Sequence, residues 1–342
     1  MLPKSLQMIR SPWLLLPWLL ALAALVVLPM EVNAKPRATK NQVAAKKKLS
    51  IKSSRPLAKL RAEPIKLSFG QLSGLHSAGD ALDLKSSVAL VLDQDTNEVL
   101  FSKNSQAVLP IASITKLMTA LVVAEAKQPL DEMLTIGVDD VDTEKGSRSR
   151  LQVGTRLSRE QMLHLALMSS ENRAANALGR HFPGGLSAFV AAMNRKATAL
   201  GMLDTHYVEP TGLSSRNQSS ATDLAVLVRE ADKHALIRQL STSIEQEVAI
   251  GARQVHFRNT NGLVRSGEWD IGLQKTGYIS EAGRCLVMQA KLSGRKLIMV
   301  LLDSAGKYSR IGDAERIRRW LGELPAVPRL PAAVAVAPLA PA

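Results

Sequence analysis

The chain has 342 residues, 46% of them hydrophobic and 22% charged, which is enough length and apolar content for one large domain or two ordinary ones. Residues 35–66 hold eleven Lys and Arg against one acid, Glu63, and carry +10 of the formal net charge of +14; residues 1–34 carry +1 and residues 67–342 the remaining +3. The basicity therefore belongs to a segment, which argues against a dedicated nucleic-acid-binding fold.

In chain order, Lys4 and Arg10 precede a charge-free run over residues 11–30, and Val32-Asn33-Ala34 fits the small-residue cleavage rule. Residues 1–34 thus read as an export signal cut after Ala34, which directs the chain to the periplasm. An uncleaved membrane anchor is the alternative; Pro17 inside the run and the Val-x-Ala site favour cleavage, and no cysteine stands near for a lipid anchor. Residues 35–66, with Lys46-Lys-Lys48 and interspersed Pro, Ser and Ala, have no apolar period and read as a basic flexible tether. Weak electrostatic contact with anionic envelope components is one role for it, a merely solvated linker the other. The far end, residues 324–342, is Pro/Ala-rich and reads as a disordered tail.

Between these ends the pattern is strands, helices, then strands. Residues 87–93 and 98–102 flank Gln94-Asp-Thr-Asn97 as a hairpin. Helices are predicted over 113–126, 158–168 (Ser158 as N-cap, Gln161 three on), 172–181, 186–200 and 222–233. Strands return at 271–278, 284–292 and 296–303, and a last helix covers 311–321. A lone hairpin is marginal in water, so the first two strands are expected to join the last three in one antiparallel sheet with helices packed on it. Cys285, the only cysteine, lies in the apolar run Cys285-Leu-Val-Met288 and reads as a small buried hydrophobe; no intrachain disulfide can form.

Three fragments carry chemistry. Ser113-Ile-Thr-Lys116 opens a helix, and at a spacing of three the two side chains share one face, with Cβ atoms ~5–6 Å apart. A serine hydroxyl needs a base to take its proton, and a lysine can be that base if burial and a neighbouring cation depress its pKa. The following Leu117-Met-Thr-Ala-Leu-Val-Val-Ala124 is apolar nearly all round, so the helix should be buried and desolvate Lys116. Ser170-Glu-Asn172 falls at a break between helices, where Ser170 could relay a proton and Asn172 could bind a substrate amide; helix capping is the plain alternative. Glu171 is expected to face solvent or an ion pair. Lys275-Thr-Gly277 begins an edge-like strand, offering a point charge, a hydroxyl and close backbone approach; a β-turn with an exposed lysine is the alternative. Ser-x-x-Lys recurs at Ser293–Lys296 and Ser304–Lys307, and Ser-x-Asn at Ser102–Asn104 and Ser215–Asn217, so no fragment is decisive alone. The six histidines (His76, His164, His181, His206, His234, His256) have no metal-ligand spacing, and no phosphate or dinucleotide fingerprint is present; neither metal nor cofactor is expected.

In this order the trio resembles the penicillin-binding protein and serine β-lactamase superfamily. Within it the chain is similar to the low-molecular-mass D-Ala-D-Ala peptidases, nearest their endopeptidase branch. The likeness runs over about residues 85–322 and includes Pro110-Ile-Ala-Ser-Ile-Thr-Lys-Leu-Met-Thr119, Leu167-Met-Ser-Ser-Glu-Asn-Arg-Ala174, Glu209-Pro-Thr-Gly-Leu213, Phe257-Arg-Asn-Thr-Asn261 and Lys275-Thr-Gly-Tyr278. The resemblance implies an α+β fold of the DD-peptidase/β-lactamase kind, a five-stranded antiparallel sheet between helical layers in a single catalytic domain over 67–323. It implies that Ser113 is acylated, that Lys116 is its base, and that Ser170 and Asn172 complete the proton path and bind substrate. Lys275 would dock the peptide carboxylate beside Thr276, Gly277 and Tyr278. The backbone N–H groups of Ser113 and Tyr278 would form an oxyanion hole, each such donor being typically worth ~3–4 kcal/mol. The expected function is that of an exported serine DD-endopeptidase cutting D-alanyl cross-links of peptidoglycan and inhibited by β-lactams. The endopeptidase choice also rests on the expectation that about twenty residues after the domain leave no room for a C-terminal β-domain and anchor. A D-Ala-D-Ala carboxypeptidase and a non-catalytic peptidoglycan-binding scaffold are the alternatives.

Overall fold

The structure, a computed structural model, describes residues 66–323. The export signal, the tether up to residue 65 and the Pro/Ala-rich tail lie outside the described residues.

The expected hairpin is β1 (Ser86–Asp93) and β2 (Val99–Lys103), and the three late strands are β3 (Asp270–Ile279), β4 (Gly283–Leu292) and β5 (Arg295–Ser304). They form one antiparallel sheet of five strands in the order β2-β1-β5-β4-β3. The first strand thus closes against the last, with Val88 opposite Leu302, Leu90 opposite Val300 and Leu92 opposite Ile298. Side chains alternate between the two faces of a strand, and here both faces are apolar. Val88, Leu90, Ile298 and Val300 enter one hydrophobic cluster; Ala89, Val91, Met299 and Leu301 enter the other. Burying each large aliphatic side chain stabilises by ~1.5–3 kcal/mol, so the centre of the sheet is the firmest part of the frame.

Seven helices of eight residues or more are described: α1 (Thr115–Glu125), α2 (Arg159–Met168), α3 (Asn172–Arg180), α4 (Gly185–Ala199), α5 (Ala221–Asp232), α6 (Ala235–Thr242) and α7 (Ser309–Glu323). α7 covers the second face with Ala314, Ile317 and Leu321, spaced three and four apart. Its Asp313 carboxylate accepts the backbone N–H groups of Lys85 (3.0 Å) and Ser86 (2.8 Å), pinning the helix to the start of β1. α5 and α6 pack on the first face with the remaining helices layered on them, and α1 is buried from Thr115 to Val123, as its apolar sequence predicts.

Three differences from the sequence expectation matter. The helix expected from Ser113 begins at Thr115, because Ala112 takes a φ of +48° and Ala112–Ile114 form a 3-10 turn first. Lys275-Thr-Gly277 lies in the middle of β3, not at its start. α6 and the hairpin Glu245–Ile250/Arg253–Arg258 were not expected; in that hairpin only Val248, Ile250 and Phe257 turn inward, too few for a legible alternation.

Candidate active site

Ser113 lies in the 3-10 turn that leads into α1, against the edge strand β3. One turn on, the Lys116 side chain is completely buried. Its Nζ lies 2.8 Å from Ser113 Oγ, 2.7 Å from Asn172 Oδ1 and 2.5 Å from the carbonyl oxygen of Thr211. Burial lowers its pKa from the ordinary 10.5 to about 7, although the carboxylates of Glu209 and Glu171 pull the other way. A neutral amine has two N–H donors and one lone pair. The carbonyl of Thr211 and the amide oxygen of Asn172 take the two N–H groups, which leaves the lone pair for the Ser113 hydroxyl proton.

Ser170 stands in the gap between α2 and α3 with a φ of +62°. It does not cap α3: the N-cap is Glu171, which makes no capping hydrogen bond. Instead Ser170 Oγ accepts from Lys275 Nζ at 3.0 Å. Asn172, besides meeting Lys116, donates through Nδ2 to Ser147 Oγ at 2.9 Å. Glu171 is buried rather than solvent-facing, and its carboxylate is engaged by Ser149 Oγ (2.6 Å) and Arg150.

Lys275 is completely buried in β3, so the β-turn alternative is set aside. Its Nζ also donates to the Thr276 carbonyl at 2.8 Å, and its pKa is well below the ordinary lysine range through burial first, then the charges of Lys116 and Arg310. Thr276 Oγ1 lies 2.6 Å from Thr260 Oγ1, in the Phe257–Asn261 phrase. Gly277 is bare where β3 meets the nucleophile turn: a Cβ there would be 3.0 Å from the Ile111 carbonyl oxygen and 3.1 Å from the Ser113 nitrogen. Tyr278 is exposed, with the Arg284 guanidinium 4.4 Å from its ring centroid. All eight candidate residues therefore converge on one region, gathered from the 3-10 turn before α1, α1 itself, the α2–α3 gap, the start of α3 and β3.

Three further residues build the site. Glu209 accepts the backbone N–H groups of Thr211 (2.6 Å) and Gly212 (2.7 Å) and the Asn217 amide (2.8 Å), shaping the loop whose Thr211 carbonyl reaches Lys116. Gly212 has a φ of +81°, and a Cβ on it would lie 1.9 Å from the Ala112 carbonyl oxygen, so no side chain fits behind the turn. An acid two residues before Thr-Gly is a readable loop signal, although it assigns no role. Arg310, in the first turn of α7, is largely buried; its Nε and Nη1 have no hydrogen-bond partner among the described residues, and its charge acts on Lys275. A lone Arg in a helix rich in arginine carries no sequence signal. Buried guanidinium N–H groups without a partner, together with a buried lysine, leave this end of the site electropositive.

Among the described residues, one cluster has the composition of a metal site, Glu125, Glu230 and His234, but Lys196 Nζ already bridges both carboxylates at 2.6 and 3.3 Å. Cys285 is buried, and burial pushes its thiol up to about 12, as expected of a small hydrophobe.

The family model for D-alanyl-D-alanine carboxypeptidase matches residues 75–306. The chain is 50% identical over 250 residues to a D-alanyl-D-alanine endopeptidase of Pseudomonas aeruginosa, spanning 72% of this chain and 81% of that protein. It is 46% identical over 241 residues to a D-alanyl-D-alanine endopeptidase of Escherichia coli, spanning 70% and 78%. The crystal structure of the Streptomyces K15 DD-transpeptidase superposes with a TM-score of 0.65 at 28% identity, covering 70% of this chain and 98% of that one.

Proposed function

The chain belongs to the D-alanyl-D-alanine carboxypeptidase family, an enzyme of the penicillin-binding α+β fold, and from that premise we propose that it is an exported serine DD-endopeptidase of peptidoglycan. The observation that carries the reading is the fully buried Lys116 amine, 2.8 Å from Ser113 Oγ with a pKa lowered to about 7. Ser113 Oγ attacks the D-alanyl carbonyl carbon while Lys116 takes the hydroxyl proton. The oxyanion is met by the backbone N–H groups of Ser113 and Tyr278, with Gly277 leaving the approach open. Ser170 Oγ, held by Lys275, relays the proton taken up by Lys116 to the leaving amine as the C–N bond breaks, which returns Lys116 to the neutral amine. Lys116 then takes a proton from the water that attacks the Ser113 ester and gives it back to Ser113 Oγ as the acid leaves. Lys275, with the positive charge of Arg310 acting on it, receives the carboxylate beside the scissile amide, and Asn172 holds the amide of the acyl-donor peptide.

The endopeptidase name of two relatives near half-identical over most of this chain supports cleavage of cross-links. The family model's own description favours the second reading, a carboxypeptidase. Export to the periplasm is supported by the charge-free run at 11–30 and the Val-x-Ala site. In the test, purified protein and a Ser113→Ala variant are exposed to a fluorescent penicillin, then to cross-linked muropeptide dimers and pentapeptide monomers. Labelling of the wild type only, with dimers cut, is the expected result. Absence of labelling removes the enzyme reading, and D-Ala release from monomers with dimers intact replaces endopeptidase by carboxypeptidase.

A further inference from the structure

The cleft that holds Ser170 and Asn172 has a second wall, Arg148, Ser149 and Arg150, and a volume of about 510 Å³. That wall is built to be rigid. Asp142 accepts the backbone N–H groups of Glu144, Lys145 and Ser147 at 2.7–2.9 Å, folding the loop on itself. Lys145 pairs with Glu281 at 2.7 Å, across the site on the β3–β4 turn, and Ser147 Oγ accepts from Asn172. Ser149 and Arg150 are both spent on Glu171, and Arg150 also donates to the His256 carbonyl and lies 3.9 Å over the Phe257 ring. Arg148 is different: it is exposed in the cleft and has no hydrogen bond or ion pair among the described residues. Its neighbours at 147, 149 and 150 are fixed, so its backbone is held in place while its guanidinium is left open. Glu171, the one carboxylate lining the cleft, is neutralised by Arg150 and does not compete for it.

We propose that this cleft is a carboxylate-binding subsite in which Arg148 reads a free acid on the acyl-donor peptide, on the residue preceding the D-alanine whose carbonyl is attacked. The assignment rests on the function proposed above, since Asn172 in the cleft floor holds the donor amide there, while Lys275 takes the carboxylate on the leaving side. An acid one residue before the D-alanine then meets Arg148, and a planar guanidinium matches a carboxylate with two parallel N–H donors. The contact is solvent-exposed, so it acts on selectivity more than on the chemical step.

The experiment uses purified protein with pentapeptides and cross-linked dimers in two forms, the carboxyl of that preceding residue either free or converted to its primary amide. Wild type is expected to favour the acid in kcat/KM by about fivefold, the size of an exposed charge pair, with the preference shrinking at high salt. Arg148→Gln brings the acid-to-amide ratio to about one, Arg148→Glu reverses it, and Arg148→Lys restores part of it. A wild-type ratio near one, or an unchanged ratio in Arg148→Gln, overturns the proposal. If dimers stay intact while pentapeptides release D-Ala, the endopeptidase reading fails by itself, and the ratio measured on pentapeptides still decides the subsite.

Discussion

If Lys116 is the base, the rate of acylation should carry its titration. With a pKa of about 7, roughly one amine in ten is neutral at pH 6 and one in a hundred at pH 5, so labelling by penicillin should fall about tenfold per unit below neutrality and level off above pH 8. The carboxylate of Glu171 stabilises the ammonium form and raises this pKa. Glu171→Gln keeps an oxygen for Ser149 or Arg150 but removes the charge, so it should lower the Lys116 pKa and move the acid limb to lower pH. At an effective dielectric of ~20 an unscreened carboxylate several ångströms away would move it by on the order of one pH unit, and pairing with Arg150 reduces that to a few tenths. The assay is the second-order rate of fluorescent-penicillin labelling between pH 5 and 9 for wild type and Glu171→Gln. A limb that moves to higher pH in the variant, or a wild type with no limb near neutrality, refutes the assignment of Lys116 as base.

Arg310→Gln should lower kcat/KM by about 10- to 100-fold on pentapeptides with a free C-terminal carboxylate, the worth of a buried positive charge acting through a low dielectric, while C-terminal amides lose far less. Gly212→Ala forces a Cβ into the Ala112 carbonyl and an L side chain into left-handed backbone, which alone costs ~1–2 kcal/mol; a lower Tm and lost penicillin labelling are expected, and a wild-type Tm would contradict the packing. Lys116→Met removes a buried amine whose folded pKa, about 7, lies below its unfolded value near 10.5. Between those values the unfolded chain binds more protons, so wild-type stability gains up to ~1.4 kcal/mol per pH unit from this group as pH rises. The stability of the Met variant relative to wild type in urea should therefore fall by ~2–3 kcal/mol from pH 7.5 to 9.5, and a constant difference would exclude the depressed pKa.

The sheet was legible because its strands are short apolar runs bounded by Ser-Gly and Asp-Thr-Asn turn signals, and α1 because its apolar run is longer than any strand needs. Ser113, Lys116, Ser170, Asn172 and Lys275 were legible as fragments of fixed order. Their meeting in one site was legible through the family resemblance, whereas the Glu209 loop that presents Thr211 to Lys116 was not, because that contact is a long-range event with no local pattern. Arg310 and Arg148 escaped for a simpler reason. Their importance lies in the partners they lack, and an absent hydrogen bond has no signature in sequence.

The placing of the carboxylates explains how two buried lysines and a buried arginine coexist. A carboxylate in direct contact with Lys116 would hold its proton and remove the base. Among the described residues no carboxylate touches Nζ of either Lys116 or Lys275; their partners are carbonyl, carboxamide and hydroxyl oxygens. Glu209 and Glu171 are near enough to be felt, yet each is committed elsewhere, one to backbone N–H groups of its own loop and the other to Ser149 and Arg150. Neutral acceptors therefore orient Lys116 without restoring its proton. On the function proposed above, the positive charge that remains near Lys275 and Arg310 is matched when a substrate brings its carboxylate. Apolar packing from α1 and the sheet makes such charge costly, which is the reason both lysines sit well below their ordinary pKa, and the buried frame around them supplies the stability that offsets the cost.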